Sequence, residues 1–251
     1  MLQWRRRDAQ PFVADLMRFV DLRRSVVVDL GCGEGGFSLA LAEHGARRVL
    51  ACDVIVDTLA RGHRQLVGRR VPVTFFAQDG GHMALPDAGV DVVFTIATFE
   101  HFPDPEAVLA ESFRVLRPGG LLYASFETYY GGSGGHYFDL IGLPWIHLLF
   151  PERHLLQAWQ HLAAAHPDLA ALNFTMVRTP GGLERRWLNR ISLRGFDRLV
   201  AASSFERVEW RVRLIKNLQR RRVASLIPSA LREVLATNVT AVLRRPSASK
   251  G

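Results

Sequence analysis

The stretch Val26-Val27-Val28-Asp29-Leu30-Gly31-Cys32-Gly33-Glu34-Gly35-Gly36-Phe37 decides the fold. Its apolar start reads as a short buried strand, its glycines as a tight turn, and Phe37 to Ala42 as the first turns of a helix. Glycine carries no Cβ, so the backbone can close against a ligand, and the start of the helix supplies N–H groups that have no partner inside it. The segment is a ligand loop. Its shape suits a nucleotide-like cofactor, and the residues around it must say which one.

Beyond the loop, the helix runs to about His44, Gly45 suits its C-cap, and Arg47 to Asp53 reads as a second strand. Asp53 then stands at a strand's carboxyl end, where open α/β sheets bind ligands and where a carboxylate can accept from two hydroxyls. A helix is expected over Val54 to Arg64 and a third strand over Val71 to Ala77, ended by Asp79-Gly80. Gly89 to Thr98 is almost continuously apolar, as a central parallel strand covered on both faces should be. Phe99-Glu100-His101-Phe102-Pro103-Asp104-Pro105 leaves the sheet, a helix follows from Glu106 to Arg114, Leu116 to Gly120 turns the chain, and Leu121 to Phe126 is the fifth strand. Strand and helix therefore alternate from Val26 to Phe126, the pattern of a doubly wound sheet.

These segments, in this order, resemble the class I methyltransferases that use S-adenosylmethionine. The resemblance rests on Asp29, Gly31, Gly33 and Gly35, on the acidic residues Asp53 and Asp79, and on the acid–histidine pair Glu100-His101 after the fourth strand. It implies an α/β fold with a mostly parallel seven-stranded sheet, a reversed final strand and a lid-like insertion after strand five. It also implies that Asp29 helps hold the methionine amino end, Asp53 the ribose hydroxyls and Asp79 the adenine amino group, with Cys32, Val54, Gly80 and Ile96 completing the cofactor site. The residues agree on one point: a carboxylate at Asp29 suits an ammonium and a sulfonium better than a pyrophosphate. The rival is a nicotinamide-dependent oxidoreductase, because Gly31, Gly33 and Gly36 also satisfy G-x-G-x-x-G with Asp53 about twenty residues on. A noncatalytic protein that binds an adenosyl ligand is a further alternative.

Four regions are expected: a cap helix region over 1–25, a cofactor-binding core over 26–127, a lid insertion over 128–180, and completion of the sheet over 181–251. In the first, Phe12, Val13, Leu16, Phe19 and Val20 recur at helical spacing from Pro11 to Asp21. Related N-terminal helices often cover the substrate cavity, which makes Trp4 and Phe12 candidate lid residues. In the third, Tyr129 and Tyr130, the loop Gly131-Gly132-Ser133-Gly134-Gly135, then His136, Tyr137, Phe138, Trp145 and Trp159 read as a mobile loop entering an aromatic lid. Phe12, Phe99, Tyr129, Tyr130, Tyr137 and Trp145 are the candidate acceptor contacts, and the acceptor is expected to be small, bulky and apolar or aromatic. Packing of an accessory helix pair or of a homodimer face would use the same residues. A returning helix over Leu188 to Phe205, a sixth strand over Phe205 to Leu214 and a last strand over Asn238 to Arg244 complete the sheet, and Pro246 to Gly251 is expected to fray.

The 251 residues are 48% hydrophobic and 22% charged, with a net charge of +8, which describes a folded chain with a basic surface. The arginines are scattered as well as grouped at Arg5-Arg6-Arg7, Arg69-Arg70 and Arg220-Arg221-Arg222, as on a solvated face. Peripheral contact with an anionic membrane is the alternative reading of that charge. RNA methylation is the weaker alternative, since Thr98-Phe99-Glu100-His101 stands where base amino methylases carry Asn/Asp-Pro-Pro-Tyr/Phe. The start lacks an apolar run behind its basic residues, and no apolar run is long enough to span a bilayer, so a cytoplasmic location is expected.

Transfer to oxygen needs alignment of nucleophile, methyl and sulfur, and removal of the acceptor's proton. His101 and His136 are the candidate bases, with Glu100 placed to orient His101. No Asp/His/Cys spacing announces a metal, and Glu100 and Asp104 alone follow the central strand, so independence from metals is expected.

Overall fold

The computed structural model describes residues 2–167, 175–180, 182–215 and 227–247. Seven strands form one sheet: β1 (Val26–Leu30), β2 (Arg48–Asp53), β3 (Val73–Ala77), β4 (Val90–Ile96), β5 (Leu116–Phe126), β8 (Glu206–Leu214) and β9 (Ala236–Arg244). Their order is β3-β2-β1-β4-β5-β9-β8, and β9 runs antiparallel to both neighbours while the first five strands are mutually parallel. The chain moves outward one way from β1 and the other way from β4, so a crevice opens at the carboxyl ends of those two strands. This is the expected sheet, reversed final strand included.

Every residue of β4 is buried, as its mostly apolar run requires, Asp91 and Thr95 included. Side chains leave the sheet alternately toward two cores. Val28, Leu30, Val93, Leu122 and Phe126 join Phe99, Phe196 and Val200 on one face. Val27, Val92, Phe94 and Tyr123 meet Phe37, Leu41, Val13 and Leu16 on the other. The helices that cover these faces are α1 (Leu2–Leu16), α2 (Gly36–Glu43), α3 (Val56–Leu66), α4 (Pro105–Val115) and α8 (Leu193–Ala202), with a short α9 (Ser229–Leu235) before the last strand. Asp104 caps α4, its Oδ1 accepting from the N–H groups of Glu106 and Ala107 at 3.0 Å each, and Ser192 caps α8 through Gly195 at 2.8 Å.

Three expectations need correction. The first helix spans Leu2–Leu16 rather than Pro11 to Asp21, and Pro11 lies inside it. Apolar spacing marked the buried turns, Val13 and Leu16, whereas the preceding polar turns carry no periodic signal. The Leu116 to Gly120 turn belongs to β5, where Leu116 pairs with Val90 before Leu121 pairs with Val92; the residues between bulge out, with Gly119 at φ +82°. The returning helix begins at Leu193 rather than Leu188: Asn189 makes the loop contacts described below, and its Oδ1 accepts from the Ile191 N–H at 3.0 Å.

Between β5 and α8 lie α5 (Phe138–Ile141), α6 (Ile146–Leu149), α7 (Glu152–Ala165) and the hairpin of β6 (Met176–Thr179) and β7 (Gly182–Arg185). Tyr137, Ile146, Leu155 and Trp159 form their own small core, against which Met176 and Leu183 pack. The boundary expected at 180 therefore cuts a hairpin whose strands both belong to the insertion. Residues 168–174 and 181 of the insertion, Arg220-Arg221-Arg222, and residues 248–251 of the tail lie outside the described residues, as does the side chain of Trp4.

Candidate functional site

The glycine turn at the end of β1 holds Gly31, Gly33 and Gly35 at φ +76°, +56° and +80°, conformations a side chain disfavours. At Gly31 the constraint is also steric: a Cβ there would lie 2.1 Å from Thr98 Cγ2. The N–H groups of Gly31 and Cys32 donate to the Cys52 carbonyl at 2.8 and 3.0 Å, which bends the turn toward β2. Asp53, at the end of β2, accepts from the N–H of Gly33 at 2.9 Å and from that of Ile55 at 2.9 Å. One carboxylate thus ties two ligand-end loops together. Asp29 is only 2% exposed and accepts from Ser38 Oγ at 2.5 Å. It lies beneath the turn, not at an open mouth, because the β1 residue must point into the space between sheet and α2.

Asp79 is exposed after β3, with Oδ1 accepting from the Gly81 N–H at 2.9 Å, and Gly80 is buried beside Leu30 and Phe102. Val54 is 63% exposed just past β2, Ile96 ends β4 buried, and Cys32 is buried within the turn. Burial, reinforced by the nearby Asp29 and Asp53 carboxylates, pushes the Cys32 thiol far up, so it is an inert filler.

After β4 the chain passes through Ala97 at φ +50° into a tight turn, Phe99–His101. Here the two candidate bases meet. The rings of His101 and His136 lie 5.0 Å apart, and a ligand atom from each of Glu100, His101 and His136 falls within 4.8 Å of the others. Glu100 is 3% exposed. Burial, with Arg185 and His147 nearby, holds His136 down to about 4, so its imidazole is neutral near pH 7. His101 Nδ1 lies 2.6 Å from the Trp187 carbonyl; since a carbonyl can only accept, Nδ1 carries the proton and Nε2 the lone pair in the neutral ring.

Sequence reasoning missed the segment that holds this turn. The Asn189 amide donates from Nδ2 to the carbonyls of Phe99 and Phe102 at 2.8 and 2.9 Å, and its backbone N–H donates to that of Glu100 at 2.9 Å. Trp187 and Arg190 flank it at φ +53° and +27°. A lone Asn between two Arg-rich stretches gives no signal in one sequence. Arg185 was missed too: its side chain is 6% exposed, and its guanidinium pairs with Glu152 at 2.7 Å, donates to the Gly135 carbonyl at 3.1 Å and lies over the rings of Tyr129 and Tyr137.

The candidate acceptor contacts divide. Phe99 is fully buried among Phe102, Phe126 and Phe196, with centroids 4.9 to 5.6 Å away, and is core. Phe12 packs edge-on against Phe37 at 6.0 Å, and Tyr137 is buried in the insertion's own core. Trp145 anchors the insertion, its Nε1 donating to the Val234 carbonyl at 2.8 Å. Tyr129 is half-buried and Tyr130 39% exposed, their rings 5.4 Å apart. The glycine-rich loop is closely packed: a Cβ on Gly134 would lie 2.2 Å from the Thr128 carbonyl oxygen and one on Gly135 2.4 Å from His147, while Ser133 Oγ donates to Glu127 at 2.6 Å.

The donor set favours a cationic, hydroxyl-bearing nucleoside. Carboxylates stand at the ends of three successive strands, Asp29, Asp53 and Asp79, and a pyrophosphate in that company would meet like charge. A model of the methyltransferase domain matches residues 28–124. An uncharacterised methyltransferase of Mycobacteroides abscessus is 31% identical over 232 residues, covering 90% of this chain and 78% of the relative. The chain belongs to the class I S-adenosylmethionine-dependent methyltransferases. A ubiquinone biosynthesis O-methyltransferase of Pseudomonas fluorescens is 32% identical over 135 residues, covering 53% of this methyltransferase and 56% of the relative. A solved S-adenosylmethionine-dependent methyltransferase of Methanosarcina mazei shares the fold, with a TM-score of 0.59 at 17% identity over 93% of this chain and 97% of that one. Membership replaces the nicotinamide alternative. Among the described residues, no helix of the methyltransferase is long and apolar enough to cross a membrane.

Proposed function

We propose that this methyltransferase methylates an oxygen of a small, bulky or aromatic acceptor by in-line displacement. The reading is supported above all by the meeting of Glu100, His101 and His136 beside the carboxyl end of the central strand. When bound, S-adenosylmethionine supplies a methyl group already activated on a sulfonium. Asp53 and Asp79 are the acceptors for ribose hydroxyls and the adenine amino group, the glycine turn gives close backbone approach, and Asp29 contributes its charge from below. Cys32, Gly80, Val54 and Ile96 shape the rest of that site.

The chain's own work is then alignment, exclusion of water and handling of one proton. His101 Nε2, with its ring fixed by the Trp187 carbonyl, takes the proton of the acceptor hydroxyl, and neutral His136 stands beside it as second acceptor. Tyr129, half-buried beside His147 and Arg185, and Tyr130, 39% exposed, are the contacts assigned to the acceptor. The relative from Pseudomonas fluorescens, named for O-methylation in ubiquinone biosynthesis, supports the choice of oxygen.

The test is methyl transfer from labelled S-adenosylmethionine to a panel of catechols, lipophilic phenols, amines and RNA. Label on a phenolic oxygen is the expected result; label on RNA or amines alone would replace this reading.

A further inference from the structure

We propose that Glu100, His101 and His136 form a binding site for a divalent transition-metal cation at the acceptor end of the cleft. Two residues come from the turn after β4 and one from the loop that opens the insertion, so the fold, not the sequence spacing, assembles the set. Three ligand atoms within 4.8 Å of one another close on an ion with bonds of about 2.0–2.2 Å if side-chain rotation draws them in by about 1 Å.

The surroundings fit a metal centre. Ligand histidines characteristically donate their other ring N–H to a carbonyl or carboxylate, which fixes the ring and leaves the second nitrogen for the ion. His101 Nδ1 has that partner in the Trp187 carbonyl at 2.6 Å. The turn carrying Glu100 and His101 is clamped by three hydrogen bonds from Asn189. His136 is held at φ +55° at the end of the tightly packed glycine loop, a backbone cost that sites with a task commonly carry. Glu100 Oε2 and His136 Nε2 are shielded from solvent, and a buried carboxylate is better kept ionised beside a cation. Arg185 opposes a cation here, but its charge is matched by Glu152 at 2.7 Å.

Two imidazoles and one carboxylate suit Mn²⁺, Fe²⁺, Co²⁺ or Zn²⁺ better than Mg²⁺ or Ca²⁺, which favour all-oxygen shells. Three protein ligands leave positions open for water or the acceptor oxygen. That consequence rests on the proposed transfer to oxygen; binding of the ion does not. With the ion seated, the histidines are ligands, and an acceptor hydroxyl at an open position gives its proton to solvent water while its oxygen keeps the electron pair that attacks.

Metal-stripped full-length protein should be titrated with Co²⁺, followed by visible absorption, and with Zn²⁺ by calorimetry, alongside titration with S-adenosylhomocysteine. The expected result is one ion per chain, with affinity lowered more than about tenfold by His136→Ala and by Glu100→Gln. The exposed His161→Ala should bind the ion as the parent does, and circular dichroism checks folding of each variant. Absence of ion binding in a parent that binds S-adenosylhomocysteine, or equal binding after both substitutions, overturns the site and leaves the histidines as bases. Ion binding without S-adenosylhomocysteine binding upholds the site and removes the methyl-transfer reading beneath it.

Discussion

Adding one methyl group at Gly31 sets two costs against the cofactor turn. The φ of +76° costs a side chain about 1 kcal/mol, and the new Cβ would overlap Thr98. Gly31→Ala should therefore weaken S-adenosylhomocysteine binding at least about tenfold by calorimetry, with Thr98 displaced. Asn189→Ala removes two hydrogen bonds from the turn bearing Glu100 and His101. Each is worth about 1 kcal/mol, so kcat should fall roughly tenfold or more while S-adenosylhomocysteine affinity is retained. At this scale the sequence was legible where backbone geometry leaves few choices, as at Gly31, whose positive φ and close approach to Thr98 only glycine fits. It was silent on Asn189 and Arg185, whose partners are distant in the chain and mostly backbone carbonyls, which leave no trace in residue type. It misled at Phe99, because an aromatic residue beside a ligand end can pack inward as readily as outward.

The insertion is an element with its own core, and Trp145 Nε1 ties it to the Val234 carbonyl of α9. Arg185 joins β7 to Glu152 at the start of α7 and to the Gly135 carbonyl next to His136. Removing it leaves Glu152 without its short ion pair and the Tyr137 ring without its cation, while Arg190 still lies over Tyr129. Arg185→Met is expected to raise hydrogen exchange across 135–165 at least about tenfold and to lower kcat, with exchange in β1 to β5 unchanged. The regular strands and helices were readable because period and caps agree with the fold, whereas the insertion was readable only as aromatic content. Its glycines suggested freedom, yet in the folded chain they permit close approach of Gly134 to Thr128 and Gly135 to His147. Short helices and a hairpin whose partners are each other give weak periodicity.

Across the whole molecule, Asp15 joins the first helix to the far side of the sheet. It accepts from Tyr123 Oη at 2.7 Å, from Arg211 on β8, and from Arg18 at 2.7 Å. Burial alone would push its carboxyl up, but the hydrogen bonds from Arg211, Tyr123 and Arg18 outweigh it and hold the group down to about 2. A folded-state value below the unfolded one stabilises the protein fully above about pH 4 and is lost as pH falls through about 2. After discounting for solvent screening, the contribution is about 1 kcal/mol. Asp15→Asn should lower Tm by a few degrees at pH 7, and the gap to the parent should close between pH 4 and pH 2.

The central claim is that a sulfonium nucleoside is held over the glycine turn by Asp53 at the end of β2. Calorimetric titration of the folded parent and of Asp53→Asn with S-adenosylhomocysteine tests it most directly. The account predicts one molecule bound per chain and an affinity at least about tenfold weaker in the variant. No association with the parent, or unchanged affinity in Asp53→Asn, would contradict it.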